Sequence, residues 1–266
     1  MNTARPLAVV TGASSGIGFE LAREFALHGH DLLVNAEDAA LDAAAERLAV
    51  HTEQVRAVRA DLATFDGAET LVQEVRAGKR RIGAVVLNAG IGRGGAFLDT
   101  DLADLARVID VNIVSTVHLA RRLLEDMRDQ GEGRLLITSS VAAGMPGPFH
   151  AVYNASKAFL HSLGLALRTE LEGTGVTVTV LLPGPTDTHF FVRAGLLNTR
   201  IGRSRKDDPG VVARQAYEAL MAGRAQVVAG SLRTRGQELA AHALPVRAKA
   251  ALHRRMAEPG RSSSHL

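Results

Sequence analysis

The chain has 266 residues, 46% of them apolar and 22% charged, which is enough to bury a sizeable core and excludes a disordered or low-complexity chain. The formal charge is only +3 despite a pI of about 9.7, because 27 of the 31 basic residues are arginines. So weak a surplus does not point to nucleic acid, and the absence of cysteine removes disulfides, thiolate metal sites and cysteine nucleophiles together.

Short β-like runs alternate with longer helical patterns along the chain. The strand candidates are Leu7–Thr11, Asp31–Asn35, Val55–Ala60, Ile82–Leu87, Arg134–Thr138, Val176–Leu182 and Gln226–Ala229. Helical patterns lie between them near Gly18–His28, Ala39–Val50, Phe65–Ala77, Leu102–Asp129, Val152–Gly173 and Pro209–Ala222. Several strands are continuous apolar runs, the mark of a sheet covered on both faces. The alternation predicts one α/β domain: a Rossmann-type, doubly wound, mostly parallel seven-stranded sheet with helices on both faces. No apolar run approaches the ~18 residues of a membrane helix. The first strand begins too early to leave room for a signal peptide, so the expectation is a soluble, cytoplasmic protein.

Between the first strand and the first helix stands Thr11-Gly12-Ala13-Ser14-Ser15-Gly16-Ile17-Gly18. Glycines at this turn let the backbone approach a ligand closely, and a helix N-terminus offers free N–H groups to a pyrophosphate. The spacing is neither GxGxxG nor a P-loop, since no Lys-Ser/Thr follows the last glycine. A glycine-rich turn without ligand is the plainer reading, and the strand before and helix after argue against it.

Tyr153 and Lys157 are four residues apart at the start of an apolar helix, hence on one face. A tyrosine near its ordinary pKa of about 10 is a poor base. An ammonium beside it favours the phenolate, which suits general acid–base work. The chain has only two tyrosines and four lysines, which sharpens the pairing, although a surface Tyr and Lys on one helix is a common arrangement. Ser140 ends the fifth strand, where open parallel sheets bind ligands, and its hydroxyl suits a carbonyl oxygen. Ser139, pointing to the other side, is the weaker candidate.

Taken together, these residues resemble the short-chain dehydrogenase/reductase family. Thr11–Gly18 matches its TGxxxGxG loop, Asn88-Ala89-Gly90 its NAG, and Asn112 its helical active-site asparagine. Ser140 with Tyr153 and Lys157 matches its catalytic serine and YxxxK, and Pro183-Gly184 with Thr188 its PGxxxT. The resemblance covers residues 7–190, the expected cofactor-binding and catalytic core. It implies hydride transfer between a nicotinamide and a secondary alcohol or ketone. In that scheme Tyr153 exchanges the oxygen proton, Lys157 lowers its pKa and holds the ribose, and Ser140 positions the substrate oxygen. Asn112 anchors a water that relays protons to Lys157. Gly12, Ser14, Ser15, Gly16, Ile17 and Gly18 line the pyrophosphate and ribose. Ala36, Glu37, Asp61 and Leu62 flank the adenosine, and Asn88, Ala89 and Gly90 border its ribose. Pro183, Gly184, Thr186 and Thr188 hold the carboxamide. The family also implies a homodimer or homotetramer through the two long helices.

Two departures stand out. Leu87 precedes Asn88, where the family often has a second Asn. The position that discriminates NAD from NADP holds Ala36, followed by Glu37, and Ser15 is not basic. A carboxylate repels a 2′-phosphate and no neighbouring cation in sequence offsets it, so NAD is the expected cofactor with NADP the alternative.

The ten histidines form no HExxH or comparable spacing, so no catalytic metal is expected. Met145, Pro146, Phe149 and His150 are candidates for the substrate mouth. Residues 187–208 read as a lid, with His189, Phe190, Phe191 and Leu196 as its apolar inner face. Residues 231–266 form a basic extension holding Leu239, Leu244, Val246, Leu252 and Met256. Packing on its own domain or on a partner subunit is the plainer role for it; contact with a membrane surface is the sharper one. The final Ser264-His265-Leu266 only loosely resembles a peroxisomal tripeptide. The main rival to an enzyme is a dinucleotide-binding regulator or scaffold that has lost turnover, against which stands the retention of both Tyr153 and Lys157.

Overall fold

The computed structural model describes residues 5–236 and 244–260. Its strands are β1 (Leu7–Thr11), β2 (Asp31–Ala36), β3 (Val55–Arg59), β4 (Ile82–Leu87), β5 (Gly133–Thr138), β6 (Val176–Pro183) and β7 (Gln226–Ala229). The helices are α1 (Gly16–Leu27), α2 (Ala40–Leu48), α3 (Phe65–Ala77), α4 (Leu102–Ile109), α5 (Ser115–Gln130), α6 (Ala151–Glu170), α7 (Phe190–Arg193), α8 (Arg200–Arg203), α9 (Pro209–Met221) and α10 (Val246–Ala257).

The strands form one sheet in the order β3-β2-β1-β4-β5-β6-β7. Every pairing is parallel, one step beyond the mostly parallel sheet expected. Alternate residues of each strand enter opposite cores. Ala8, Val10, Leu32, Val34, Ala84, Val86 and Leu136 meet α1, α2 and α9 on one face. Val9, Leu33, Val85, Leu87, Leu135 and Ile137 meet α3 and α5 on the other. This period of two explains why the central strands β1 and β4 are apolar at nearly every position.

Local chemistry sets the helix boundaries. Thr64, Asp101 and Asp208 cap α3, α4 and α9 with side-chain oxygens, and Pro209 opens α9. Gly131 ends α5 in the left-handed region at φ +74°. The single helix expected over Leu102–Asp129 is α4 and α5 joined by a π-helical turn, Asp110–Val114. The Ser115 and Thr116 hydroxyls donate to the Val111 and Asn112 carbonyls at 2.6 and 2.8 Å, within and just after the widened turn.

Winding reverses between β1 and β4, and the crevice beyond their C-terminal ends is where such sheets take ligands. The backbone N–H groups of Asn88 and Ala89 both donate to Thr11 Oγ1 at 3.0 Å, fixing the two strand ends side by side.

Candidate active site

A cavity of about 520 Å³ opens over this crevice. At one end Gly12 and Gly16 adopt φ of +66° and +60°, which a side chain would strain. A Cβ on Gly18 would lie 2.1 Å from the Gly12 carbonyl oxygen. Ser15, at the N-cap of α1, has extended backbone and makes no side-chain cap, so the amides of the first turn are left for a ligand. A bare, concave helix N-terminus of this kind fits a pyrophosphate.

Further along, Ser140, Tyr153 and Lys157 converge. Ser140 lies at the end of β5 and caps a short turn through Ala142 N at 3.1 Å. Ser139 instead donates to the Lys157 carbonyl at 2.7 Å, a buried structural bond that ties β5 to α6. The Lys157 ammonium donates to the Thr138 carbonyl at 2.8 Å and stands 5.7 Å from the centre of the Tyr153 ring. Burial lowers its pKa to about 8. Burial pushes the Tyr153 phenol up to about 12, against a hydrogen bond from Ser140 that pulls it down. Burial is the larger effect, and Tyr153 holds its proton at neutrality.

Asn112, in the π turn, does not line the cavity. Its Oδ1 accepts from Ile91 N at 2.9 Å, and its Nδ2 donates to Ile91 O and Ser156 Oγ, both at 2.9 Å. Both ends of the side chain are occupied in pinning the loop after β4 to α6. Most other candidates line the cavity: Gly12, Ser14, Ser15, Gly16, Ile17, Gly18, Ala36, Glu37, Asp61, Leu62, Asn88, Ala89, Gly90, Pro183, Gly184, Thr186 and Thr188, together with Ser140, Met145, His150, Tyr153, Lys157 and Phe190; Pro146 and Phe149, expected at the substrate mouth, do not. The Asn88 amide is also structural, donating to the Thr11 carbonyl at 3.2 Å.

The adenosine end corrects the charge argument. Glu37 is paired: Arg107 of α4 reaches its carboxylate at 2.5 Å and holds Asp61 at 3.1 Å. Against burial that pushes it up, the Ala63 N–H and then the same guanidinium hold the Asp61 carboxyl below its ordinary range. A second arginine, Arg193 of α7, donates to Ser15 Oγ at 3.4 Å and lies 4.0 Å from Asp38, whose carboxylate also accepts from Ser14. Two cations therefore stand where the sequence suggests none, and against the carboxylates of Glu37, Asp38 and Asp61 they weaken the charge argument against a 2′-phosphate without removing it.

At the opposite end the lid supplies apolar surface. Phe191, Ala194 and Leu196 form a small core of their own, with Phe190 and Ile201 packed on it. The lid is stitched to the body by Gly94 N donating to the Ala194 carbonyl at 2.8 Å. From the basic extension, Leu244, Leu252, His253 and Met256 join the lining, so α10 packs on its own domain and roofs the cavity. Leu239 and the final tripeptide lie outside the described residues. Among the described residues no group of His, Asp or Glu is placed to hold a metal, and no helix is long and apolar enough to cross a membrane.

The sequence profile of the short chain dehydrogenase family matches residues 6–195. The chain is a short-chain dehydrogenase. Among its relatives, the sulfoacetaldehyde reductase 2 of Chromohalobacter salexigens is 36% identical over 197 residues, 71% of this chain and 76% of the relative. A short-chain dehydrogenase from Sphingobium yanoikuyae, solved in complex with NADPH, superposes with a TM-score of 0.79 at 27% identity, covering 98% of this chain and all of that one. The bulky-bulky ketone specific alcohol dehydrogenase from Comamonas testosteroni gives 0.76 at 26% identity over 99% of this chain and 100% of its own.

In this short-chain dehydrogenase the lining residues that sequence reasoning passed over are chiefly Asp38, Arg193, Thr234 and His253. Asp38 and Arg193 carry charge in the right segments, a signal available in principle. Thr234 and His253 reach the cavity only through tertiary packing, which leaves no local pattern.

Proposed function

We propose that this dehydrogenase reduces a bulky, mostly apolar ketone to its secondary alcohol, using NADH or NADPH. The observation that carries the reading is the convergence of Ser140, Tyr153 and Lys157 between a glycine cradle and an apolar chamber. The cradle of Gly12, Ser14, Ser15 and Ile17 would hold the pyrophosphate, with Asp61 and Leu62 at the adenine and Lys157 at the nicotinamide ribose. A bound nicotinamide dinucleotide supplies the hydride that goes to the carbonyl carbon. Ser140 orients the carbonyl oxygen, and Tyr153 passes its phenolic proton to that oxygen as negative charge develops there. A phenol pushed up to about 12 by burial is protonated at neutrality and so carries the proton that reduction requires. Lys157, a nearby cation, stabilises the phenolate left behind.

The apolar chamber of Met145, Phe190, Phe191, Leu196, Leu252 and Met256 supports a large hydrophobic substrate. The likeness to a ketone-specific alcohol dehydrogenase supports the same class. The test is reduction of cyclohexyl phenyl ketone, followed by loss of nicotinamide absorbance with each cofactor. Turnover is expected in the wild-type protein, and Tyr153→Phe should lower kcat by about 10²-fold or more while nucleotide binding changes less than about threefold. Full activity in Tyr153→Phe, or no nucleotide binding by the wild type, would overturn the reading.

A further inference from the structure

Two imidazoles stand in the apolar chamber outside the Ser140, Tyr153 and Lys157 set. His150, at the N-cap of α6, lies flat against Tyr153, with ring centroids 4.3 Å apart and planes 17° apart. It also faces His253 of α10 at 6.5 Å and 29°. Each is only 5% exposed, and each lines the cavity. His150 Nε2 is buried without a hydrogen-bond partner, a costly arrangement for a ring nitrogen.

His253 has a defined tautomer. Its Nδ1 lies 3.2 Å from the Pro148 carbonyl, which can only accept, so Nδ1 carries the proton. A neutral ring then presents Nε2 as an acceptor. Burial keeps both rings neutral, lowering the His150 pKa to about 3 and that of His253 below its ordinary value. The charged lining residues Glu37, Asp38, Asp61 and Arg193 belong to the glycine-loop end, and Lys157 is engaged by Thr138. Among the described residues, no charged lining side chain at this end would neutralise a carboxylate or an ammonium. The chemistry that suits a pair of neutral imidazoles is a neutral group able to donate and accept together.

Building on the ketone-reductase reading, we propose that His150 and His253 recognise a hydroxyl carried by the substrate away from its reacting carbonyl. The hydroxyl donates to His253 Nε2 and offers its oxygen to a ring nitrogen of His150. With each nitrogen about 1 Å out from its ring centre, one hydroxyl oxygen making two bent hydrogen bonds of about 2.8 Å fits a centroid separation of 6.5 Å. The substrate class is then a bulky hydroxyketone.

The probes are cyclohexyl phenyl ketone and its para-hydroxy and para-methoxy derivatives on the phenyl ring. Hydroxy and methoxy groups donate electrons to the carbonyl to a similar degree, and only the hydroxyl can donate a hydrogen bond. Wild-type kcat/KM is expected to be at least about tenfold higher for the hydroxy than for the methoxy ketone. In His253→Phe that ratio should fall to about one, and His253→Asn, which keeps an acceptor, should recover part of it. Equal values for the two ketones in the wild-type protein would overturn the proposal while leaving the ketone reading intact. A ratio that survives in His253→Phe would overturn it too. NADPH fluorescence titration establishes that a variant is folded, and the wild-type comparison decides alone if His253→Phe is not. If the wild type reduces none of the three, the ketone reading falls, and this inference with it.

Discussion

Arg107 binds Glu37 across the adenosine end of the cavity, at 2.5 Å and 70 residues away in sequence. The same guanidinium donates twice to Asp61, at 3.1 and 3.2 Å, so one cation is shared between two carboxylates and offsets half of their charge. Removing it should expose both charges to a 2′-phosphate. Arg107→Ala is expected to raise the Kd for NADPH about tenfold and that for NADH less than about threefold, with the gap narrowing at high salt. Fluorescence titrations with both nucleotides at two ionic strengths check this; equal weakening would mean that Arg107 serves pocket shape alone.

Lys157 should set the alkaline limit of the reaction. A buried ammonium with a pKa near 8 is charged below that pH and loses its proton as pH rises through it. The Tyr153 phenol, near 12, titrates too late to account for such a limb. The expected profile of kcat/KM for ketone reduction falls above about pH 8. Lys157→Met should lower activity by about 10²-fold and flatten that limb, measured from steady-state rates across the range.

Acid should destabilise the fold through its buried imidazoles. His150 binds a proton near 6.5 when unfolded and only near 3 when folded, so the unfolded chain holds more protons between these values. Stability is full above about pH 6.5 and is lost as pH falls, by up to about 1.4 kcal/mol per pH unit from this group. His30 and His253, also lowered by burial, add in the same direction. Urea midpoints at neutral and mildly acid pH should converge less steeply in His150→Phe than in wild type; identical slopes would show a hydrated ring.

Gly92 tests the join between the lid and the site. A Cβ there would sit 2.7 Å from the Phe190 ring and 2.8 Å from His150 Nε2. Gly92→Ala should therefore raise KM for a bulky ketone about tenfold by displacing the lid, while NADPH binding stays within about threefold. Steady-state kinetics beside a nucleotide titration separates the two effects.

Much of this molecule was legible in its sequence because the sheet is buried on both faces. Leu7–Thr11, apolar up to its last residue, and Ile82–Leu87 have observed bounds that match the sequence pattern. The glycine loop was equally clear, since Gly12 and Gly16 occupy backbone conformations few other residues tolerate. The turn at Asp110–Val114 was not, because one extra residue per turn hides inside a periodic helix pattern. The Asn112 amide closes on Ile91, a contact no spacing reveals. Arg107 escaped notice as the partner of Glu37 for the same reason, and His253 meets Pro148 across 105 residues.

The lid begins and ends at one place. Thr186 bridges Asp207, Asp187 N donates to the Asp207 carbonyl at 2.9 Å, and Asp207 N donates to Pro185 O at 2.8 Å. Thr234 then fastens the Asp207 carboxylate from the side at 2.6 Å. A segment whose two ends are clasped together hangs from the sheet as a closed loop, and lengthening such a loop costs little, about 0.6 kcal/mol per doubling. The clasp thus separates two rates of change. Residues between it can be inserted, shortened or exchanged to suit new substrates, while β6 and α9 on either side keep the register that the catalytic floor requires.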